Sequence, residues 1–124
     1  MTLPDGFVAH TGHAGLRDTG DDVAIVVAAG PCATAGVFTQ SLFAGPSVEV
    51  SRSHLAAGDA RGVVVIAKNA NVATGPGGLA DAREVVALAA RASGLEPSQM
   101  LIASTGVIGR RYPCLLYTSD AADE

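Results

Sequence analysis

The stretch from Gly62 to Ala103 constrains this chain more than any other. Gly62 to Ala67 (GVVVIA) is a continuous apolar run of strand length, rich in β-branched residues, as a buried strand requires. A loop of amides, hydroxyls and glycines follows, Lys68 to Gly78 (KNANVATGPGG). Leu79 to Ser93 then predicts a helix. Leu79, Ala82, Val85, Val86 and Ala89 recur at helical spacing and form one apolar stripe. Asp81 and Glu84 suit its positive N-terminal end, Arg91 suits the last turn, and Gly94 fits the position just past the end. Pro97 blocks continuation, and Met100 to Ala103 makes a further short strand. Strand, loop, helix and strand in this order predict a crossover between parallel strands.

The preceding half reads as hairpins. Gly6 to Thr11 predicts a first strand, Gly12 to Asp22 a glycine-rich connection, and Val23 to Ala29 a buried strand ended by Gly30-Pro31. Thr34 to Gln40 reads as a returning strand, a hairpin partner to the one before it. After Gly45-Pro46, Val48 and Val50 suggest another brief strand. Ser51 or Ser53 then caps a single helical turn through Ala57, stopped by Gly58-Asp59. The fold class expected is α/β, a mixed sheet with packed helices.

Composition excludes several kinds of partner. Eight basic and 12 acidic residues among 124 give a net charge of −4 and no electrostatic footprint for nucleic acid. Five aromatics, none of them tryptophan, offer little for stacking bases. The longest apolar run, Val23 to Ala29, falls far short of the ~20 residues of a membrane span. No secretory signal opens the chain, and Cys32 and Cys114 do not have metal-ligand spacing. A reduced, cytoplasmic protein without a metal is expected. Charged residues are only 16% and the mean hydropathy is +0.34, a thinly charged surface that suits burial under further chain.

Two loops are candidates for chemistry. In Lys68 to Gly78, Asn69, Asn71 and Thr74 precede a helix start, so amide dipoles and helix N–H groups can face an anion or carboxylate. Alternatively the asparagines satisfy their own backbone in turns. In Ser104-Thr105-Gly106-Val107-Ile108-Gly109, a hydroxyl and a glycine N–H at a strand end can point two donors at one oxyanion. The competing reading is an ordinary small-residue turn. His10 and His13 read as surface or hydrogen-bonded structural residues, His54 as an exposed turn residue, Lys68 as solvated or snorkelling, and Cys32 as a small core residue.

Taken in order, GFVAH, AGVFTQSLFAGPSV, ARGVVVIAKNANVATG, DAREVV and LIASTGVIGR resemble the N-terminal part of the ornithine acetyltransferase (ArgJ) family, from about Gly6 to Pro113. STGVIG and NAN-ATG together are specific to it. Most members have serine-glycine before NAN; Ala67-Lys68 here is similar to the subgroup found with clavulanic-acid-type biosynthesis. The resemblance implies an incomplete N-terminal portion of a DOM-fold enzyme, residues 1–113, that belongs to the α-chain. Residues 114–124 have no family counterpart and read as unrelated, artefactual sequence that packs against nothing, Leu115 and Leu116 included.

The function the resemblance implies is acetyl transfer from N-acetylornithine to glutamate through a covalent acetyl-enzyme, with no cofactor, and with acetyl-CoA as a further acetyl donor in some members. The precursor cleaves itself before a threonine that becomes the nucleophile of a β-chain, and the two chains form an α2β2 heterotetramer. The oxyanion pair falls on Thr105 and Gly106, and Asn69, Asn71 and Thr74 are expected to bind substrate. The nucleophile lies in no part of this sequence, so the chain alone is expected to be inactive. Two readings of other kinds stand beside this one: a small anion-binding module using the glycine-rich loops, and a structural partner subunit.

Overall fold

The computed structural model of the chain describes residues 3–112. Its elements are β1 (Phe7–Gly12), β2 (Val23–Ala28), α1 (Pro46–Ala56), β3 (Gly62–Ile66), α2 (Gly75–Ala92), a 3-10 turn (Pro97–Gln99) and β4 (Met100–Ser104). The four strands lie in the order β1-β2-β3-β4. The first two pairings are antiparallel and β3 with β4 is parallel, so the sheet is mixed.

Register explains where the core sits. Ile25, Val64 and Ile102 are directly opposite one another, as are Val23, Ile66 and Ser104. With side chains alternating along each strand, these residues share one face. That face joins the buried α2 stripe of Ala82, Val85, Val86 and Ala89, together with Met100, in one core cluster. Each large aliphatic side chain buried there contributes about 1.5–3 kcal/mol. The other face stays open, with Phe7 44% and Val65 37% exposed.

Four expectations from the sequence are corrected. Thr34 to Gln40 is not a strand; residues 31–41 have no regular structure. Both edges of β2 are already occupied, by β1 and β3, so no edge is left for a hairpin partner. The segment is instead fastened by Thr34 Oγ1 donating to the Ala60 carbonyl, 2.6 Å, and Arg52 Nη2 donating to the Thr39 carbonyl, 2.9 Å. Val48 and Val50 belong to α1, not to a strand, with Gly45 as N-cap and Pro46 in the favoured first helical position. The helix buries Pro46, Ser47, Val50 and Ser51, a face half made of hydroxyls, which hides it from a search for apolar periodicity. Ser51 is therefore no cap: its Oγ donates to the Ile102 carbonyl, 2.6 Å, and accepts from the Ile102 N–H, 2.8 Å.

Third, α2 begins at Gly75, four residues before the expected start, which takes Asp81 out of its first turn. Fourth, Cys32 is exposed rather than core, and His54 is half-buried, its Nδ1 lying 2.8 Å from the Met100 carbonyl. The tail 114–124 lies outside the described residues.

The connection before β2 is organised by Asp22. Its buried carboxylate accepts the N–H groups of Ala14 at 2.6 Å, Leu16 at 2.7 Å and Arg17 at 2.9 Å. Burial alone would raise its pKa. The three N–H donors and nearby His13 outweigh that and hold the carboxyl below its usual value. A depressed folded pKa adds stability above the unfolded value near ~3.9, and that stability is lost as pH falls through the folded value. Asp22→Asn should therefore cost about 1–3 kcal/mol at neutral pH and flatten the acid limb below about pH 4. Urea titrations at neutral pH and near pH 3 measure both effects.

Candidate functional site

Parallel strands release their C-terminal ends side by side, and the two loops singled out in the sequence meet there. The ladder between β3 and β4 continues into them. The Thr105 N–H donates to the Ile66 carbonyl at 3.0 Å, and the Val107 N–H to the Lys68 carbonyl at 3.1 Å. The Ala70 N–H donates to the Val107 carbonyl at 3.0 Å, and the Gly109 N–H to the Val72 carbonyl at 2.7 Å. Asn69 and Val107 form a parallel bridge.

Backbone strain concentrates in the same place. Among the described residues, the three non-glycine residues with positive φ are Lys68 (76°), Asn71 (54°) and Ala73 (62°), all in the first loop. Each such conformation costs on the order of 1–3 kcal/mol and persists only where its surroundings hold it. Asn69 and Asn71 supply that hold, both fully buried. Asn69 Nδ2 donates to the Arg111 carbonyl, 3.0 Å, and its Oδ1 accepts the Asn71 N–H, 3.1 Å. Asn71 Nδ2 donates to the Gly78 carbonyl, 2.9 Å, and its Oδ1 accepts from Thr74 Oγ1, 2.8 Å. The amides and the threonine hydroxyl are thus bonded within the protein and fix the loop's shape.

The second loop differs. Thr105 and Gly106 are exposed. Among the described residues, neither the Thr105 hydroxyl nor the Gly106 N–H, which falls between two rungs of the ladder, donates to a protein acceptor. Gly106 has φ 127° and lies so close to Lys68 that a Cβ there would overlap the Lys68 carbonyl carbon. Only glycine permits this approach.

Behind the loop lies a layer that sequence reasoning missed. Ser104 Oγ donates to the Ala70 carbonyl, 2.9 Å, and is 2.5 Å from Ser47 Oγ, which is itself 3.4 Å from the Tyr112 hydroxyl. Burial pushes the Tyr112 phenol above its usual pKa against the opposing hydrogen bonds of Ser104, Ser47 and Asn71, so it stays neutral. Arg111 forms a fork on Asp81, Nε to Oδ2 at 2.7 Å and Nη2 to Oδ1 at 2.9 Å. The only sequence signal for this layer was Arg110-Arg111-Tyr112 directly after STGVIG. Among the described residues there is no group of three or more metal-ligating side chains and no helix long and apolar enough to cross a membrane.

Comparison with known proteins gives this geometry a context. The family model described as the ArgJ family matches residues 8–122, past the break at Pro113 read from the sequence. The chain is 57% identical over 111 residues to a glutamate N-acetyltransferase, Oat2, of Streptomyces clavuligerus, spanning 89% of this chain and 28% of the relative. It is 52% identical over 112 residues to an arginine biosynthesis bifunctional protein of Nostoc, spanning 90% of this chain and 29% of the relative. The chain thus spans less than a third of the length of these relatives. Among solved structures it is similar to an ornithine acetyltransferase complexed with ornithine from Mycobacterium tuberculosis. The TM-score there is 0.91 at 31% identity, over 97% of this chain and 66% of that one.

Proposed function

The chain belongs to the ArgJ family, and from that premise we propose that it supplies the oxyanion-stabilising loop of an ornithine/glutamate N-acetyltransferase. The observation that carries this reading is the pair of open donors, the Thr105 hydroxyl and the Gly106 N–H, adjacent on a loop whose backbone is held on both sides.

The chemistry follows from where charge develops. When a nucleophile's oxygen attacks the acetyl carbonyl of N-acetylornithine, the carbonyl π electrons move onto oxygen. Two fixed donors stabilise that oxyanion more than the neutral carbonyl, which lowers the barrier. Collapse of the tetrahedral intermediate expels the ornithine amine, which takes a proton, and leaves the acetyl group on the nucleophile. The amine of glutamate then attacks the acetyl-enzyme past the same donors, releasing N-acetylglutamate and restoring the nucleophile's hydroxyl. With acetyl-CoA as donor, the thiol leaves in place of ornithine. The nucleophile belongs to the partner β-chain of an α2β2 assembly, where a free α-amine with a pKa near ~8 can serve as base for its own threonine hydroxyl. Asn69, Asn71 and Thr74 act by shaping the neighbouring loop.

The 124-residue chain on its own is expected to show no acetyl transfer from N-acetylornithine to glutamate. Turnover by the purified chain at rates typical of an enzyme would overturn the assignment of the nucleophile to another chain. An assembled enzyme, with this chain in place of the matching segment of the Streptomyces clavuligerus relative, is expected to be active.

A further inference from the structure

We propose that Arg111, held by Asp81, is a positioning residue that fixes the direction of the Thr105 and Gly106 donors. This rests on the oxyanion reading above and adds a part of the site outside the STGVIG stretch.

The loop has two ends. Its near end is fixed because it continues β4. Its far end runs through the last ladder bond at Gly109, and just beyond that bond it is fastened by Arg111 in three directions. The guanidinium grips Asp81 of α2 with both bonds of the fork. It lies flat against Gly77 at the start of the same helix, where an added Cβ would sit 2.8 Å from Cζ. The Arg111 carbonyl accepts Asn69 Nδ2 from the neighbouring loop. One residue thus joins the donor loop to α2 and to the loop against which Gly106 packs.

The charges differ in burial. The Asp81 side chain is 4% exposed and that of Arg111 is 58% exposed. An exposed ion pair contributes little to stability. A bidentate fork on a buried carboxylate instead sets both position and orientation. Oxyanion donors must be held to within about 0.5 Å of their working geometry, so a clamp of this kind acts on rate more than on fold.

Two measurements test this. On the 124-residue chain, amide hydrogen exchange is read residue by residue for Arg111→Ala. The expected result is exchange faster by about tenfold or more at Ala70, Val107 and Gly109, with mid-sheet Val64 and Ile102 unchanged. Unchanged loop amides, or an equal rise across loop and sheet, would overturn the proposal.

In the assembled enzyme, Arg111→Ala is expected to lower kcat by about tenfold or more, with KM nearly constant. Arg111→Lys keeps the charge without the fork and should leave most of that loss in place; full recovery counts against the clamp. Arg111→Ala should add little to Thr105→Ala, as expected for groups acting together. If Thr105→Ala lowers kcat and Arg111→Ala does not, the clamp alone is wrong. If Thr105→Ala has no effect, the oxyanion reading fails and the clamp with it.

Discussion

Thr105→Ala in the assembled enzyme is expected to lower kcat by about 10²–10³-fold while KM changes little. The hydroxyl is exposed and donates to no acceptor among the described residues, so its removal deletes no internal hydrogen bond. Its loss is felt where the oxyanion forms. Thr105→Ser keeps the donor and should retain most of the rate. Steady-state kinetics with N-acetylornithine and glutamate separate the outcomes. An equal loss in both variants would make the methyl group, and therefore packing, the responsible feature. Stability provides the control, since urea unfolding of Thr105→Ala should match the parent chain within about 0.5 kcal/mol.

Gly106→Ala is expected to act in the opposite way, on the fold first. Its φ of 127° is a conformation that residues with a side chain rarely adopt, and the new methyl would overlap the Lys68 carbonyl. Strain on the order of 1–3 kcal/mol adds to a clash of similar size, against a total stability of about 5–15 kcal/mol for a domain. A large drop in the urea midpoint follows, or no folded protein at all. Gly109→Ala separates the two contributions: Gly109 also has positive φ, 86°, but nothing within 4 Å of an added Cβ. It should cost only about 1–2 kcal/mol. If the two substitutions cost the same, the close approach of the loops is not what demands glycine at 106.

The contrast between these variants shows how much of the site was legible in the sequence. Thr105 and Gly106 stood out because a hydroxyl and a glycine at a strand end have an evident use, and the family resemblance raised that reading. Asn69 and Asn71 stood out equally, yet an amide facing a ligand and an amide satisfying a strained loop have the same letters. Burial and partners separate the two, and both asparagines turn inward. Arg111 and Tyr112 gave almost no signal, because their partners Asp81 and Ser47 lie 30 and 65 residues away.

The same division runs through the fold. The apolar runs of β2 and β3, the short β4 and the stripe of α2 identified themselves, since burial of one face leaves a period in the sequence. Helix α1 did not, because Ser47 and Ser51 replace apolar residues on its buried face and find their hydrogen bonds on Ser104 and Ile102. Thr34 to Gln40 has strand-like residues, but both edges of β2, its expected hairpin partner, are taken by β1 and β3. The sequence by itself determined the fold class, most of the core and the loop bearing the two donors, because these follow from local composition and periodicity. Only the tertiary structure decided that the two loops form one ladder, that glycine is required at 106, and that an arginine from beyond the loop clamps it. Those depend on contacts between distant residues, which no local pattern encodes.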